Sequence, residues 1–410
     1  MADHLAIDLD DAPPPFSQYE AEFFLSSDGD IISHDHHLNE DGEALYRFLL
    51  AQSQEPPLYL VDILGTHTEY RTRIIVNTVN GVRQEHIEQY SITVTDFHFS
   101  IDLVPYIIHG PVHWSSPDSD PTYRGLMLRQ ITATTGAPNH SDEQHLAKNP
   151  ASSSPKTITR NATKDEINVF KSDEYARLTA GVPPWENPDG SPRAAPQASR
   201  RSLREWADNY ATSPKLLKEF VYEKVIYGWN TAKLEQAIES AIASTSYSGR
   251  VSVDFTISGA KICIRPDNRL SRTLSSTFYK VLLIIFLVYP FIWLFKRFSS
   301  RGGGRWEVYG GAYALRLLEP VGTDEEDLNL IAAFDGGNAG LPPLREPRIV
   351  QTEHGLRKLT GYREGEWFRE WESTIRRCAA MRLRQEEPLK RTVDGPGILE
   401  GYDNHALDGY

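Results

Sequence analysis

Hydrophobic and polar positions change period several times along the 410-residue chain, and each change predicts an element. From Asn39, the stretch EDGEALYRFLLAQ brings Leu45, Phe48 and Leu49 to one face, so a helix capped by Asn39 with acids in its first turn is expected. Leu58–Leu64 is an apolar strand, Asn80-Gly81 is a hairpin dipeptide, and the return strand runs to about Leu103. A two-residue loop at Asn80-Gly81 sets Arg73 opposite Glu88, Arg71 opposite Tyr90 and Ile74 opposite Ile87. The middle of this hairpin is polar or threonine-rich on both faces, which predicts a ribbon projecting from the body.

Further on, Ser202–Tyr210 and Ser213–Leu217 read as short helical pieces and Phe220–Trp229 as a strand. Thr231–Ala243 has Leu234, Ala237, Ile238 and Ile242 at helical spacing, and Val251–Ile264 alternates like a strand. Trp306–Leu318 is a strand with an irregularity at Gly310-Gly311. Glu364–Arg384 is a helix carrying Trp367, Trp371, Ile375 and Cys378 on one stripe. Packing on the chain's own body is the plain expectation for that stripe, and a membrane-interface helix is the alternative.

One segment has no polar face. Val281–Phe295 reads VLLIIFLVYPFIWLF in a chain whose mean hydropathy is -0.44. Alone it makes about 22 Å of helix, short of the roughly 30 Å of a bilayer core. Extended to residues 277–298 it reaches about 33 Å. Tyr279 and Trp293 then sit toward the interfaces, and Lys280, Lys296 and Arg297 reach headgroups from their apolar stems. The expectation is one transmembrane helix over 277–298, kinked at Pro290. A re-entrant hairpin turning at Tyr289-Pro290 is the alternative, and a buried helix of a soluble domain the third reading. Flanking bases balance across the segment, so the positive-inside rule gives no direction. The acidic N-terminus lacks the apolar core of a signal peptide, which favours a cytosolic N-terminal region of a single-pass integral membrane protein.

Composition then places the remaining boundaries. The chain has 56 acidic and 43 basic residues, a net charge of -13. Residues 1–56 alone hold thirteen acids and one base, Arg47, so the body is close to neutral and nucleic acid is not an expected partner. The expected organisation is a disordered acidic tail over 1–30 and an α+β domain over 31–266, built from the long antiparallel hairpin and a strand–helix–strand unit. Disordered inserts are expected near 132–165 and 181–200, the transmembrane helix over 277–298, a C-terminal α/β segment over 299–385 and a flexible tail over 386–410. Cys263 and Cys378 flank the apolar segment, which argues against a disulfide.

Candidate chemistry is sparse. His34-Asp35-His36-His37 contains metal-capable groups, but adjacent side chains seldom converge on one ion and no matching ligand pair follows, so no metal or cofactor is expected. His109 and His113 are four apart, but Pro111 denies them a shared helix. No nucleophile elbow, phosphate loop or dinucleotide fingerprint occurs. Asp96, His98 and Asp102 are the residues an enzyme reading would use, and no catalytic residue is assigned. Pro13, Pro14 and Phe16, with Tyr19 nearby, approximate the Pro-Pro-x-Tyr ligand of WW domains, with Phe16 where tyrosine is wanted. A plain extended linker is the simpler reading of that tail.

The strings HLNEDGEALYRFLL, PPLYLVDILGTHTEYRTR and TVTDFHFSIDL resemble a family of fungal membrane-anchored proteins with no assigned activity. There a strand with the motif seen here as Gly65-Thr66-His67-Thr68-Glu69 precedes a membrane segment and an element like Trp306, Val308, Gly310 and Tyr313. The resemblance covers about 35–104 and 279–318 and implies an anchored protein without naming a reaction. The resulting expectation is a non-enzymatic scaffold or trafficking component that meets the bilayer and binds a protein through its N-terminal region. A lipid-binding module or a membrane enzyme are the alternatives.

Overall fold

The computed structural model describes residues 21–79, 82–135, 156–322, 330, 344–352 and 355–392. The fold is mixed α+β, organised on a six-stranded sheet. Its strands are β1 (Phe24–Leu25) and β2 (Ile31–Ser33), then β5 (His109–Ser115), β9 (Leu217–Tyr227), β11 (Lys261–Ile264) and β12 (Gly303–Ala314). Their spatial order is β1-β2-β11-β9-β12-β5, with β9 and β12 parallel and β11 antiparallel to β9. Short helices α1 (His36–Glu40), α2 (Gly42–Gln52) and α4 (Leu203–Ala211) cover one face of this sheet. The helix near Asn39 is capped by Asp41, whose carboxylate accepts from Glu43 N–H at 2.9 Å. Asn39 itself is buried in α1, where Tyr210 donates to its side-chain Oδ1 at 2.6 Å.

The long hairpin is β3 (Leu58–Val79) with β4 (Val82–Asp102), and β10 (Arg250–Ser258) pairs with the lower part of β3 only as far as Thr66. Arg73 faces Glu88, Arg71 faces Tyr90 and Ile74 faces Ile87, as the sequence predicts, while Asn80-Gly81 lies outside the described residues. Below the ribbon the register shifts by one, because Gly65 pairs with Phe97 and Thr66 with Thr95, which leaves Asp96 as a bulge. Gly65 is required there. A Cβ on it would stand 2.2 Å from the ring of the fully buried Phe97.

The second core lies between this three-stranded sheet, α5 (Thr231–Ala243) and the C-terminal helix Glu364–Ala380. Trp367, Trp371, Ile375 and Cys378 are all buried against it, so the stripe packs on the body and not on a membrane. Ile226 of β9 and Tyr313 of β12 belong to this core, while Phe220 and Trp306 of the same strands belong to the first. One pair of strands thus ties both cores together. The C-terminal segment expected over 299–385 is consequently not separate, since β12 is an inner strand of the main sheet.

Several other expectations change. The predicted strand Val251–Ile264 is two strands, β10 and β11, in different sheets. Ser213–Leu217 is no helix but the approach to β9. Within the insert expected over 132–165, β7 (Arg129–Thr135) pairs with β8 (Lys156–Asn161), and α3 (Lys164–Ala180) opens with a Thr163–Glu166 capping box. The loop 181–200 has no regular structure, but Trp185 packs on Tyr227 and Arg193 pairs with Asp120. Leu383–Gln385, and from the tail expected over 386–410 Leu389, run along β4, where Asp102 N–H donates to Leu389 O at 3.0 Å. Of the tail over 1–30, residues 21–30 are described and include β1.

The largest change concerns the apolar segment. It is not one helix but two, α7 (Thr277–Ile285) and α8 (Tyr289–Phe298), bent by 100° at the break between them. No single helix among the described residues is long and apolar enough to cross a membrane, and only this bent pair passes by length and composition. Leu287 closes α7 with a left-handed φ of 57°, and Val288 N–H donates to Leu283 O at 3.0 Å. Pro290 then starts α8, where the missing amide costs no helical hydrogen bond.

Candidate functional site at the base of the apolar helix pair

The path of the chain into and out of α7–α8 positions the site. Ile264, the last residue of β11, pairs with Phe220, and Gly303, the first of β12, pairs with Leu217. Both lie at the same end of β9, so the excursion 265–302 departs from and returns to one edge of the sheet.

At this edge three strands send most of their charged residues to one face. β9 alternates Glu219, Val221 and Glu223 with Phe220 and Tyr222, and β11 alternates Lys261 and Cys263 with Ile262 and Ile264, Arg265 following. Arg305 and Glu307 alternate with Trp306 and Val308 on β12. The strand period sends one set to each face. The apolar set fills the core beneath α2 and α4. Opposite it, the ionic set surrounds only a small apolar cluster of Ile32, Val221 and Cys263.

Pairing satisfies part of this ionic face. Arg265 donates to Glu219 at 2.7 Å and Arg305 to Glu307 at 3.1 Å. Burial alone would raise the Glu219 carboxyl, but Arg265 and Arg305 outweigh it and hold the group below the usual carboxylate range. Lys261 and Arg305 help Glu223 less. Burial, reinforced by Glu174 and Glu307, pushes it up to about 7.

Two cavities open on this face. The first, about 490 Å³, lies between the sheet and the base of the helix pair, where Lys261, Arg265 and Arg305 meet Lys280, Lys296 and Arg297. Tyr289, Ile292 and Trp293 form its apolar wall. The second, about 370 Å³, is lined by Glu174, Glu223 and Glu307 with Arg129 and Lys261. Trp114 Nε1 and Thr122 Oγ1 are buried beside it without a hydrogen-bond partner.

The interface residues expected from sequence are gathered differently from the expectation. A single span would separate Lys280 from Lys296 and Arg297 by the thickness of a bilayer. Here all three line one cavity, because both flanks return to one sheet edge, and Arg297 donates to Met127 O at 2.6 Å. Tyr279 and Trp293 are each half-exposed on the pair. Pro13, Pro14, Phe16 and Tyr19 lie outside the described residues.

Asp96, His98 and Asp102 do not form a cleft. The Asp96 carboxylate is buried at the bulge and bonded to His67 at 2.7 Å and Tyr247 at 3.1 Å, with Arg382 at 3.4 Å. Burial would raise this carboxyl, but the bonds from His67 and Tyr247 outweigh it and lower it. His98 is exposed, and Asp102 accepts from Val104 N–H at 2.9 Å, starting a 3-10 turn. His34 is buried with its ring bonded to Pro266 O and Ser275 Oγ, Asp35 caps α1, and no group of three potential metal ligands occurs among the described residues. His113 bonds the Tyr222 hydroxyl at 2.7 Å.

Reading from sequence missed the ionic face, although KEFVYEK, KICIR and RWEV each carry its period-two signal. The apolar half of each alternation identifies a strand, while the charged half passes for solvent-facing until the strands are seen side by side. No family model, curated protein or solved structure matches this chain.

Proposed function

We propose that this protein is attached to one face of a membrane by α7–α8, which enters a single leaflet and returns, and that it serves there as a non-enzymatic scaffold. The observation that carries this reading is the exposure of fourteen large apolar side chains between Phe278 and Phe298, on an excursion rooted at both ends in one sheet edge. Phe278, Ile285, Phe286, Leu287, Phe291 and Phe298 are each at least 66 % exposed. Moving one such side chain from water into an apolar phase is worth about 1.5–3 kcal/mol, and a continuous patch of this size marks a contact surface.

Lipid is the occupant that fits. Nine residues of α7 and ten of α8 rise about 14–15 Å each, close to half of a roughly 30 Å hydrocarbon core. Aromatic and basic residues collect toward the base, as at a headgroup boundary. The shared sheet edge favours a return over a crossing, because a crossing would place β11 and β12 on opposite sides of the bilayer. Away from the anchor, the ribbon of β3 and β4 exposes Tyr70, Ile74, Ile87 and Tyr90 as a surface for a protein partner.

Flotation of the full chain with phosphatidylcholine vesicles tests the reading. The wild type is expected to float, and the double variant Phe286→Asp with Phe291→Asp to stay in the soluble fraction while its circular dichroism is unchanged. Equal flotation of both proteins would reject the anchor.

A further inference from the structure

The cavity at the base of α7–α8 is lined by more basic than acidic side chains. Its basic side chains Lys261, Arg265, Lys280, Lys296, Arg297 and Arg305 face two carboxylates, Asp30 and Glu219. Lys218 also borders the cavity, but its ammonium is used on the carbonyls of Asn39, Tyr210, Ala211 and Ser213. Glu219 is committed to Arg265, and Asp30 accepts from the Lys261 backbone N–H at 2.9 Å. Among the described residues no side chain pairs with the ammonium of Lys261, Lys280 or Lys296, although Lys261 also borders the carboxylates of the second cavity, and Arg305, paired with Glu307, keeps its Nε buried without a partner. Three unpaired ammonium groups and an unpaired guanidinium nitrogen in one concavity constitute an anion site.

Resting on the leaflet-anchor reading, we infer that this cavity binds an anionic phosphate ester, supplied by a phospholipid headgroup of the leaflet that α7–α8 enters. The cavity has two kinds of wall. Lysines and arginines from β11, β12 and both helices surround its polar part, and Tyr289, Ile292 and Trp293 continue from it along α8. A phosphate held by the lysines would thus lie where its glycerol and acyl chains could follow α8 into the apolar phase. Lys261 distinguishes this site from attraction to a charged surface, because it is supplied by an inner strand of the sheet and not by the helix pair.

The test compares full-length protein on phosphatidylcholine vesicles with protein on vesicles containing phosphatidic acid. A preference for the anionic vesicles of about tenfold or more is expected. Lys261→Gln should remove most of that preference while leaving phosphatidylcholine binding intact, and Lys296→Gln should independently remove most of it. Arg301→Gln, an exposed base outside the cavity, should keep it. Equal losses for Arg301→Gln and Lys261→Gln, or no anionic preference in the wild type, would overturn the site. Failure to bind phosphatidylcholine at all would instead reject the anchor beneath it. Glycerol 3-phosphate, added without vesicles and followed by calorimetry, separates the sources. Lack of saturation supports the membrane headgroup, whereas saturable binding lost in Lys261→Gln would overturn that source in favour of a soluble ester.

Discussion

Two excursions leave the body of this protein, and they solve opposite problems of solvation. The β3–β4 ribbon projects beyond the end of β10, and its described surface sets ion pairs beside the exposed Tyr70, Ile74, Ile87 and Tyr90. Arg73 bonds Glu88 across the strands at 2.7 Å, and Arg71 bonds Glu69 at 2.9 Å. The α7–α8 pair projects equally, but between Lys280 and Lys296 it carries no charged residue. The difference lies in the side chains. On the proposed reading, the ribbon lies in water and the helix pair in an apolar phase.

The largest effect should come from making the second excursion resemble the first. Phe286→Asp with Phe291→Asp places two carboxylates in the expected hydrocarbon at about 3 kcal/mol apiece, so vesicle affinity should fall by a factor of roughly a thousand or more, read by flotation or surface binding.

The roots of the two excursions differ as well. The ribbon is anchored by a tight fit, since Gly65 leaves no room for a Cβ against Phe97. Gly65→Ala should destabilise the fold by about 3 kcal/mol in urea unfolding, with vesicle binding of the folded fraction unchanged. Near the root of the helix pair, the ionic face stores a pH response. Glu223 holds its proton up to about pH 7, compared with an ordinary value of 4.5. The folded state therefore binds more protons than the unfolded state between these values, and stability falls as pH rises through that window. Glu223→Gln should be more stable than wild type by about 2 kcal/mol above pH 7, a gap that closes below pH 4.5 and is read from unfolding midpoints across pH.

The smallest effect concerns the tip of the pair. Leu287 occupies a left-handed conformation that glycine would hold without strain, and it is 69 % exposed. Leu287→Gly should stabilise the protein in solution by about 1 kcal/mol while weakening vesicle binding. Opposite signs would mark the leucine as kept for contact with lipid, and equal signs would assign it to the fold.

Much of the architecture was legible because it rests on local periodicity. The helix Thr231–Ala243 and the cross-strand partners of Arg73, Arg71 and Ile74 follow from residues close in sequence, and the structure has them in those places. The one-residue shift at Asp96 was not legible, since it depends on how Phe97 packs against Gly65. The apolar run identified itself, but its length was compatible with both a span and a return. The proposed return rests on the pairing of Gly303 with Leu217 and of Ile264 with Phe220, two contacts between distant parts of the chain. The cavity was hidden for the same reason. Lys261, Lys280 and Lys296 belong to three elements, and only the return of the chain brings them together.

Single-cysteine accessibility in vesicles tests the return most directly. Cys263 and Cys378 are buried, which leaves introduced cysteines at Asp267, Leu287 and Arg301 as the reporters. With protein bound to the outer surface, an impermeant thiol reagent should modify positions 267 and 301 at once and leave position 287 protected in the hydrocarbon. Protection of either flank until the vesicles are lysed would mean that the segment crosses, and rapid modification at 287 would mean that it never enters.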